Sequence, residues 1–286
     1  MTDLSLVDCG WLGLEPGKFA TMSIIEVEYN GPIAVVVLNK PNKLNALTKD
    51  EFYQLARTLQ EVAEHNEVVA TVLTGIGRFF SAGADVSVSR KVPEGTDLYR
   101  HNLTVTVASN MNLARAFYTH PKILVVALNG PVVGMAAALI AFADFIYCTP
   151  ETYLLTPFAS LGLISEGVSS IAFAERMGIS RANEALILGK RIASKDLLAT
   201  GFVNQIFDCP AESFRSEVLK EVKERFHDGL NASSMLQIKK MIRQRSRREL
   251  DAQNVDEVFG ALERNVQGIP QKEFEKLRTG KKKHKL

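Results

Sequence analysis

The chain has 286 residues, 46% of them hydrophobic, enough for one large core or a core with an appendage. Its 34 basic residues against 32 acidic ones leave a net charge of +2, which gives no reason to expect a polyanionic partner. Three scattered cysteines, Cys9, Cys148 and Cys209, argue against a disulfide framework or a structural zinc site, and no apolar run reaches the roughly eighteen residues of a membrane span.

Residues 1–21 have little periodicity and read as an extension, with Met22 offering a second start site. Asp3, Asp8 and Glu15 do not suit a signal or transit peptide. Two β-rich runs around Asn30-Gly31, ending at Leu38, predict a hairpin. A loop over Asn39–Leu47 follows, and Thr48 caps a helix over Lys49–His65 striped by Phe52, Leu55, Leu59 and Val62. Val68–Thr74 and Ile123–Leu128 read as buried strands, with a helix over Leu103–Tyr118 between them. An alanine-rich helix over Gly134–Ala143 and short strands at Phe145–Cys148 and Tyr153–Leu155 come next. Further helices are predicted over Ser165–Met177, Ala182–Leu188 and Lys195–Thr200, the first opening on Ser165 as a serine cap, the last capped by Ser194 and followed by a strand at Val203–Phe207. From Ala211 onward the pattern is helical and charged, and the stripes Leu219, Val222, Phe226 and Leu236, Met241, Ile242 read as a partner-subunit surface. The basic blocks Lys239–Arg248 and Lys281–Lys285 read as a solvated face and a solubilising tail. Alternating strands and helices make this an α/β chain.

Two loops stand out chemically. Ser81-Ala82-Gly83-Ala84-Asp85 and Asn129–Ala138 each follow a strand, turn on small residues and lead towards a helix. Gly83 and Gly134 are the turn formers, and Asp85 caps the segment after the first turn. Such turns leave backbone N–H groups pointing outward, where they can hold an oxygen that gathers negative charge. Two of them, about fifty residues apart, point to an oxyanion hole and thioester chemistry. No spacing of histidine, cysteine and acids suggests a metal. His120 before Pro121 reads as a helix-end residue, while His65, His101 and His227 fall in polar stretches. Gly75-Ile76-Gly77 lacks the rest of a dinucleotide fingerprint, and no aromatic-interleaved basic patch suggests nucleic acid. The terminal His284-Lys285-Leu286 is a variant of a peroxisomal address.

With these loops, Pro41-Asn42-Lys43-Leu44-Asn45-Ala46-Leu47 and Ala199–Asn204, the chain resembles the crotonase (enoyl-CoA hydratase/isomerase) superfamily over residues 22–210. Leu161–Gly167 and the terminal tripeptide make it most similar to the fungal peroxisomal Δ3,Δ2-enoyl-CoA isomerases. The resemblance implies a crotonase-like spiral of repeated β-β-α turns over 22–210 and a helical trimerisation region with a basic tail over 211–286. It implies an acyl-CoA substrate, no separate cofactor, a homo-trimer or hexamer, and peroxisomal import through the last three residues. The oxyanion donors would be the N–H groups of Ala84 and Met135. CoA would lie against Lys43, Leu44, Ala46 and the Ala82, Gly83, Asp85 turn, the Met135 side chain could shape the pocket for the acyl group, and Gly134 and Phe158 count among the substrate-binding residues.

The two glutamates of a hydratase would fall at Ala138 and Phe158, neither of which can take a proton, so hydration should be crippled. Glu166 matches the isomerase base, expected in apolar surroundings drawn from Phe158, Leu161, Ile164 and Met135 that would raise its pKa. Asn110 could hydrogen-bond the base or a water, or be a surface residue. These residues imply isomerisation of 3-enoyl-CoA to trans-2-enoyl-CoA in β-oxidation. Dienoyl-CoA isomerisation, thioester hydrolysis and non-catalytic acyl-CoA binding remain alternatives.

Overall fold

The computed structural model describes residues 24–87, 94–227 and 229–282, apart from the His227 side chain. The expected extension over 1–21, Met22 and His284-Lys285-Leu286 lie outside these residues.

Strands β1 (Ile25–Asn30) and β2 (Ile33–Leu38) form the expected hairpin around Gly31, followed by α1 (Lys49–Glu64) and β3 (Ala70–Gly75). Next come α2 (Leu98–Asn102), a wide π-type turn over Leu103–Ala108, and α3 (Ser109–Tyr118). Then come β4 (Ile123–Leu128), β5 (Val132–Val133), α4 (Gly134–Ile140), β6 (Phe145–Cys148) and β7 (Tyr153–Leu155). After α5 (Ser169–Leu186), β8 (Ile192–Ala193), α6 (Ser194–Ala199) and β9 (Gln205–Ile206), the chain is helical: α7 (Ala211–His227), α8 (Ala232–Gln244), α9 (Arg247–Val266) and α10 (Ile269–Arg278). The main sheet runs β1-β2-β3-β4-β6-β9, parallel except for the hairpin, and a smaller sheet runs β5-β7-β8.

Strands β2, β3 and β4 are apolar on both faces, so the sheet must be covered twice. Ala34, Val36 and Leu38 face a core built with α1, α3, α4 and α5. Ile33, Val35 and Val37 face Phe214, Val218 and Val222 of α7, all fully buried. Leu219 and Phe226 join that second layer. The α7 stripe is therefore internal to this chain and not the partner surface expected of it. On α8, Leu236 turns inward together with Lys239 and Arg243, which pair with Asp144 (2.6 and 3.0 Å) in place of the solvated face expected of that basic block, while Ile238, Met241 and Ile242 stay exposed.

Three helix starts differ from the sequence reading. Asp97 accepts hydrogen bonds from the N–H groups of Tyr99 and Arg100 (2.9 and 3.1 Å), so the helix begins at Leu98 instead of Leu103. Its next turn is widened over a run of valine and threonine, where Thr104 Oγ1 donates to the His101 carbonyl at 2.8 Å. Helix α5 begins at Ser169, not Ser165, because Gly167 and Val168 are left-handed (φ 68° and 59°); its span is broken at Gly178 (φ 74°, ψ 156°), so two helical segments meet there, as the separate helices predicted on either side require. In α6, Ser194 is itself helical, and its hydroxyl donates to the Pro150 carbonyl (2.7 Å), so it is no cap.

Candidate active site

The two small-residue turns are locked together. Phe80 N–H donates to the Pro131 carbonyl (3.1 Å) and Val133 N–H to the Ser81 carbonyl (2.9 Å), so the second turn is laid directly on the first. Gly83 takes a left-handed φ of 83°, and a Cβ there would stand 2.6 Å from the Val133 carbonyl oxygen. The segment after Lys43 closes the other side: Leu47 N–H reaches the Gly83 carbonyl and Asp85 N–H the Leu47 carbonyl, both at 2.8 Å. Buried Asn45 anchors this segment, donating to the Ile76 and Phe79 carbonyls (2.9 and 2.8 Å).

These bonds use the N–H groups on either side of Ala84 but not its own, which has no partner among the described residues. Met135 N–H lies in the first turn of α4, where a helix offers no acceptor. Gly134 supplies the left-handed φ of 60° just before it. Two N–H groups on abutting turns can hold one oxygen between them, the arrangement that stabilises an enolate.

Beside these turns lies a cavity of about 650 Å³. Glu166, Asn110, Met135 and Asp85 line it, as do Leu47, Phe52 and Leu163. The structure thus brings Glu166 and Asn110 to one chamber from opposite elements. Asp85 is occupied: its carboxylate accepts from Ser87 Oγ (2.6 Å) and N–H (2.9 Å), with Lys40 Nζ at 3.7 Å. The Ser87 hydroxyl leads in holding its carboxyl below the usual range. That matches its expected capping role.

Phe158 and Leu161 are buried but do not line the cavity, and neither do Lys43, Leu44, Ala46, Ala82, Gly83, Ala84 or Gly134. Lys43 and Ala84 are exposed beside it. Ala138 is fully buried, its methyl carbon 3.0 Å from where a Cβ on Gly167 would stand. A longer side chain at 138 would collide with the loop that carries Glu166. His120 is buried, with Nε2 2.8 Å from Thr71 Oγ1, and burial pushes its pKa down to about 3; it stays neutral and does not line the cavity. Among the described residues no group of three or more His, Cys, Asp or Glu side chains could hold a metal, and no helix is long and apolar enough to cross a membrane.

Sequence reasoning missed part of the wall. His101, Asn102, Val105 and Thr106 line the cavity from α2 and the wide turn, and Asn265, Val266 and Gln271 close it from the C-terminal helices. The spacing Asn102, Thr106, Asn110 was a legible signal. Nothing local marks the C-terminal residues, which arrive by tertiary packing. Gly260 within α9 makes that approach possible, since a Cβ there would stand 2.6 Å from Ile164 Cδ1. Arg264 Nε, donating to the Gly162 carbonyl at 2.6 Å, ties down the same loop.

Also missed was Glu257 of α9. Its carboxylate is buried and accepts from Val168 N–H (2.6 Å), Ser170 N–H (3.2 Å) and Ser170 Oγ (2.5 Å). A side chain 89 residues away thus caps α5, the task the sequence assigned to Ser165.

A profile of the enoyl-CoA hydratase/isomerase family matches residues 28–269, and the chain belongs to that family. It is 48% identical over 277 residues to a Delta(3,5)-Delta(2,4)-dienoyl-CoA isomerase of Pyricularia oryzae, covering 92% of this chain and 99% of that protein. It is 33% identical over 274 residues to a 3,2-trans-enoyl-CoA isomerase of Saccharomyces cerevisiae, covering 92% and 96%. The crystal structure of an enoyl-CoA hydratase/isomerase from Pseudoalteromonas atlantica T6c shares the fold, with a TM-score of 0.79 over 92% of this chain and 100% of that one at 23% identity.

Proposed function

We infer that this protein is an isomerase of unsaturated acyl-CoA thioesters, and we propose that its preferred reaction converts 3,5-dienoyl-CoA to 2,4-dienoyl-CoA. The observation that carries the dienoyl reading is the 48% identity, across nearly the whole of both chains, to a dienoyl-CoA isomerase. In this reading the thioester oxygen sits between the N–H groups of Ala84 and Met135, next to Gly83 and Gly134. The CoA moiety runs past Lys43, Leu44, Ala46 and Ala82. Glu166 takes the proton from C2, and the charge spreads over the oxygen, C4 and C6. Protonation at C6 completes the shift; CoA is part of the substrate, and the reaction is redox-neutral.

C2 and C6 are farther apart than the two oxygens of one carboxylate, so a second proton donor is needed. We assign that task to His101, a cavity-lining side chain whose two ring nitrogens can donate and accept a proton. Asp85 is already committed to Ser87 and Lys40. Asn110 can orient the Glu166 carboxylate. Hydration has no support, since Ala138 and Phe158 cannot hold or activate water.

The second reading is the shift of 3-enoyl-CoA to trans-2-enoyl-CoA. The absence of a carboxylate at 138 and 158 favours it, because Glu166 alone can reach both C2 and C4. One assay separates the two. The purified enzyme is given each substrate, and absorbance of the conjugated products is followed alongside thiol release. At least tenfold higher kcat/KM on the dienoyl substrate is expected, with His101→Gln depressing that reaction more than the enoyl one. Equal or better use of 3-enoyl-CoA, indifferent to H101Q, would establish the second reading, and thiol release would indicate a hydrolase.

The proposed compartment is the peroxisomal matrix, reached through His284, Lys285 and Leu286. A fluorescent fusion ending in residues 277–286 should accumulate in peroxisomes; fluorescence left in the cytosol would refute this. The exposed Ile238, Met241 and Ile242 of α8 offer an apolar surface for trimer or hexamer assembly.

A further inference from the structure

The loop that carries Glu166 is conformationally demanding. Gly167 and Val168 are both left-handed, and for a β-branched residue such as Val168 (φ 59°) that conformation is rare and costly. Strain of this kind persists only where the surroundings enforce it. Glu257 supplies the enforcing contact: Val168 N–H donates to its Oε2 at 2.6 Å, while Ser170 N–H and Oγ take its Oε1. The carboxylate is withdrawn from water, with 4% of the residue exposed, so its three donors are its solvation. Burial raises its pKa and the hydrogen bonds from Ser170 and Val168 oppose that rise.

The same helix grips the opposite wall. Asn254, one turn before Glu257, donates to the Met111 carbonyl (3.1 Å) and to the Tyr118 hydroxyl (3.2 Å), while Tyr118 donates to Asp251 (2.8 Å). Met111 adjoins Asn110 on α3. One face of α9 therefore spans the chamber, holding the Glu166 loop at one point and the Asn110 helix at the other.

We propose that Glu257 is a positioning residue for isomerisation: by holding the Val168 and Ser170 N–H groups, it fixes where the Glu166 carboxylate stands over the bound acyl chain. This rests on Glu166 being the base of the proposed isomerisation. A general base works only within hydrogen-bond reach of the proton it takes, and a displacement of about 1 Å can cost on the order of 10²-fold in rate.

The test compares full-length E257Q, S170A, E166Q and the E166Q/E257Q double variant on 3,5-dienoyl-CoA. Glutamine offers one acceptor oxygen where two are used, so E257Q should lower kcat by roughly tenfold or more, with KM within about threefold. S170A removes the hydroxyl contact alone and should lose roughly two- to fivefold in kcat, with faster amide exchange at Val168. Because Glu257 acts through Glu166, the double variant should be no slower than E166Q. A cap that served only stability would lower the melting temperature and leave kcat of the folded protein unchanged. The proposal is overturned if folded E257Q turns over within twofold of the parent, or if the double variant loses rate additively. Should E257Q not fold, S170A with unchanged kcat and unchanged exchange overturns it instead. Unimpaired E166Q is a different result, one that removes the base assignment itself.

Discussion

Replacing Glu166 by glutamine is expected to lower kcat by about 10²–10⁴-fold while leaving acyl-CoA affinity nearly unchanged. Glutamine keeps the size and polarity of the side chain but cannot accept a proton from C2. The chamber is otherwise intact in that variant: the turns bearing Ala84 and Met135 are held by backbone bonds that do not involve residue 166. Binding and enolate stabilisation should survive, so the loss should appear in kcat and not in KM. Steady-state kinetics on both candidate substrates, with calorimetry of a saturated acyl-CoA, would measure this. Turnover within tenfold of the parent would remove Glu166 from the mechanism.

Gly83→Ala should cost nearly as much by a different route. The methyl group would stand 2.6 Å from the Val133 carbonyl oxygen, and φ 83° is itself strained for alanine. The two turns must then separate, which should pull apart the Ala84 and Met135 N–H groups proposed to share the thioester oxygen. Losing one such donor is worth about 10²–10³ in kcat. Gly95→Ala is the matching control, because Gly95 has a similar φ (79°) with nothing within 4 Å of the added carbon. It carries the backbone strain without the collision. Equal activity in the two variants would show that the junction of the turns does not matter to catalysis.

What could be read from the residues divides along physical lines. The hairpin at Asn30-Gly31, the strands into both loops and the glycines at 83 and 134 rest on local chemistry, and the fold has them where the pattern put them. Periodicity marked the stripe Leu219, Val222, Phe226 correctly as apolar, yet it says nothing about what covers a stripe. The doubly apolar strands β2 to β4 required a second layer, and α7 supplies it. Ser165 looked like a cap because serine before a helical pattern usually is one. The actual acceptor is Glu257, brought in by tertiary structure. His101 was passed over because it falls in a polar stretch just before the helix predicted from Leu103. Asp97 caps the chain five residues earlier, at Leu98, and so puts His101 on the helix that lines the chamber.

The wide turn over Leu103–Ala108 also bears on how such a scaffold can diverge. A turn of this type accommodates an extra residue in a helix, and each residue of a regular helix rotates the next side chain by roughly 100°. Shortening it by one should leave α3 and Asn110 in place while swinging His101 and Asn102 round the axis, out of the chamber they line. A single-codon deletion there would re-phase several of the chamber's lining side chains at once. Length polymorphism at this turn is therefore a more economical route to a new unsaturated substrate than successive point changes.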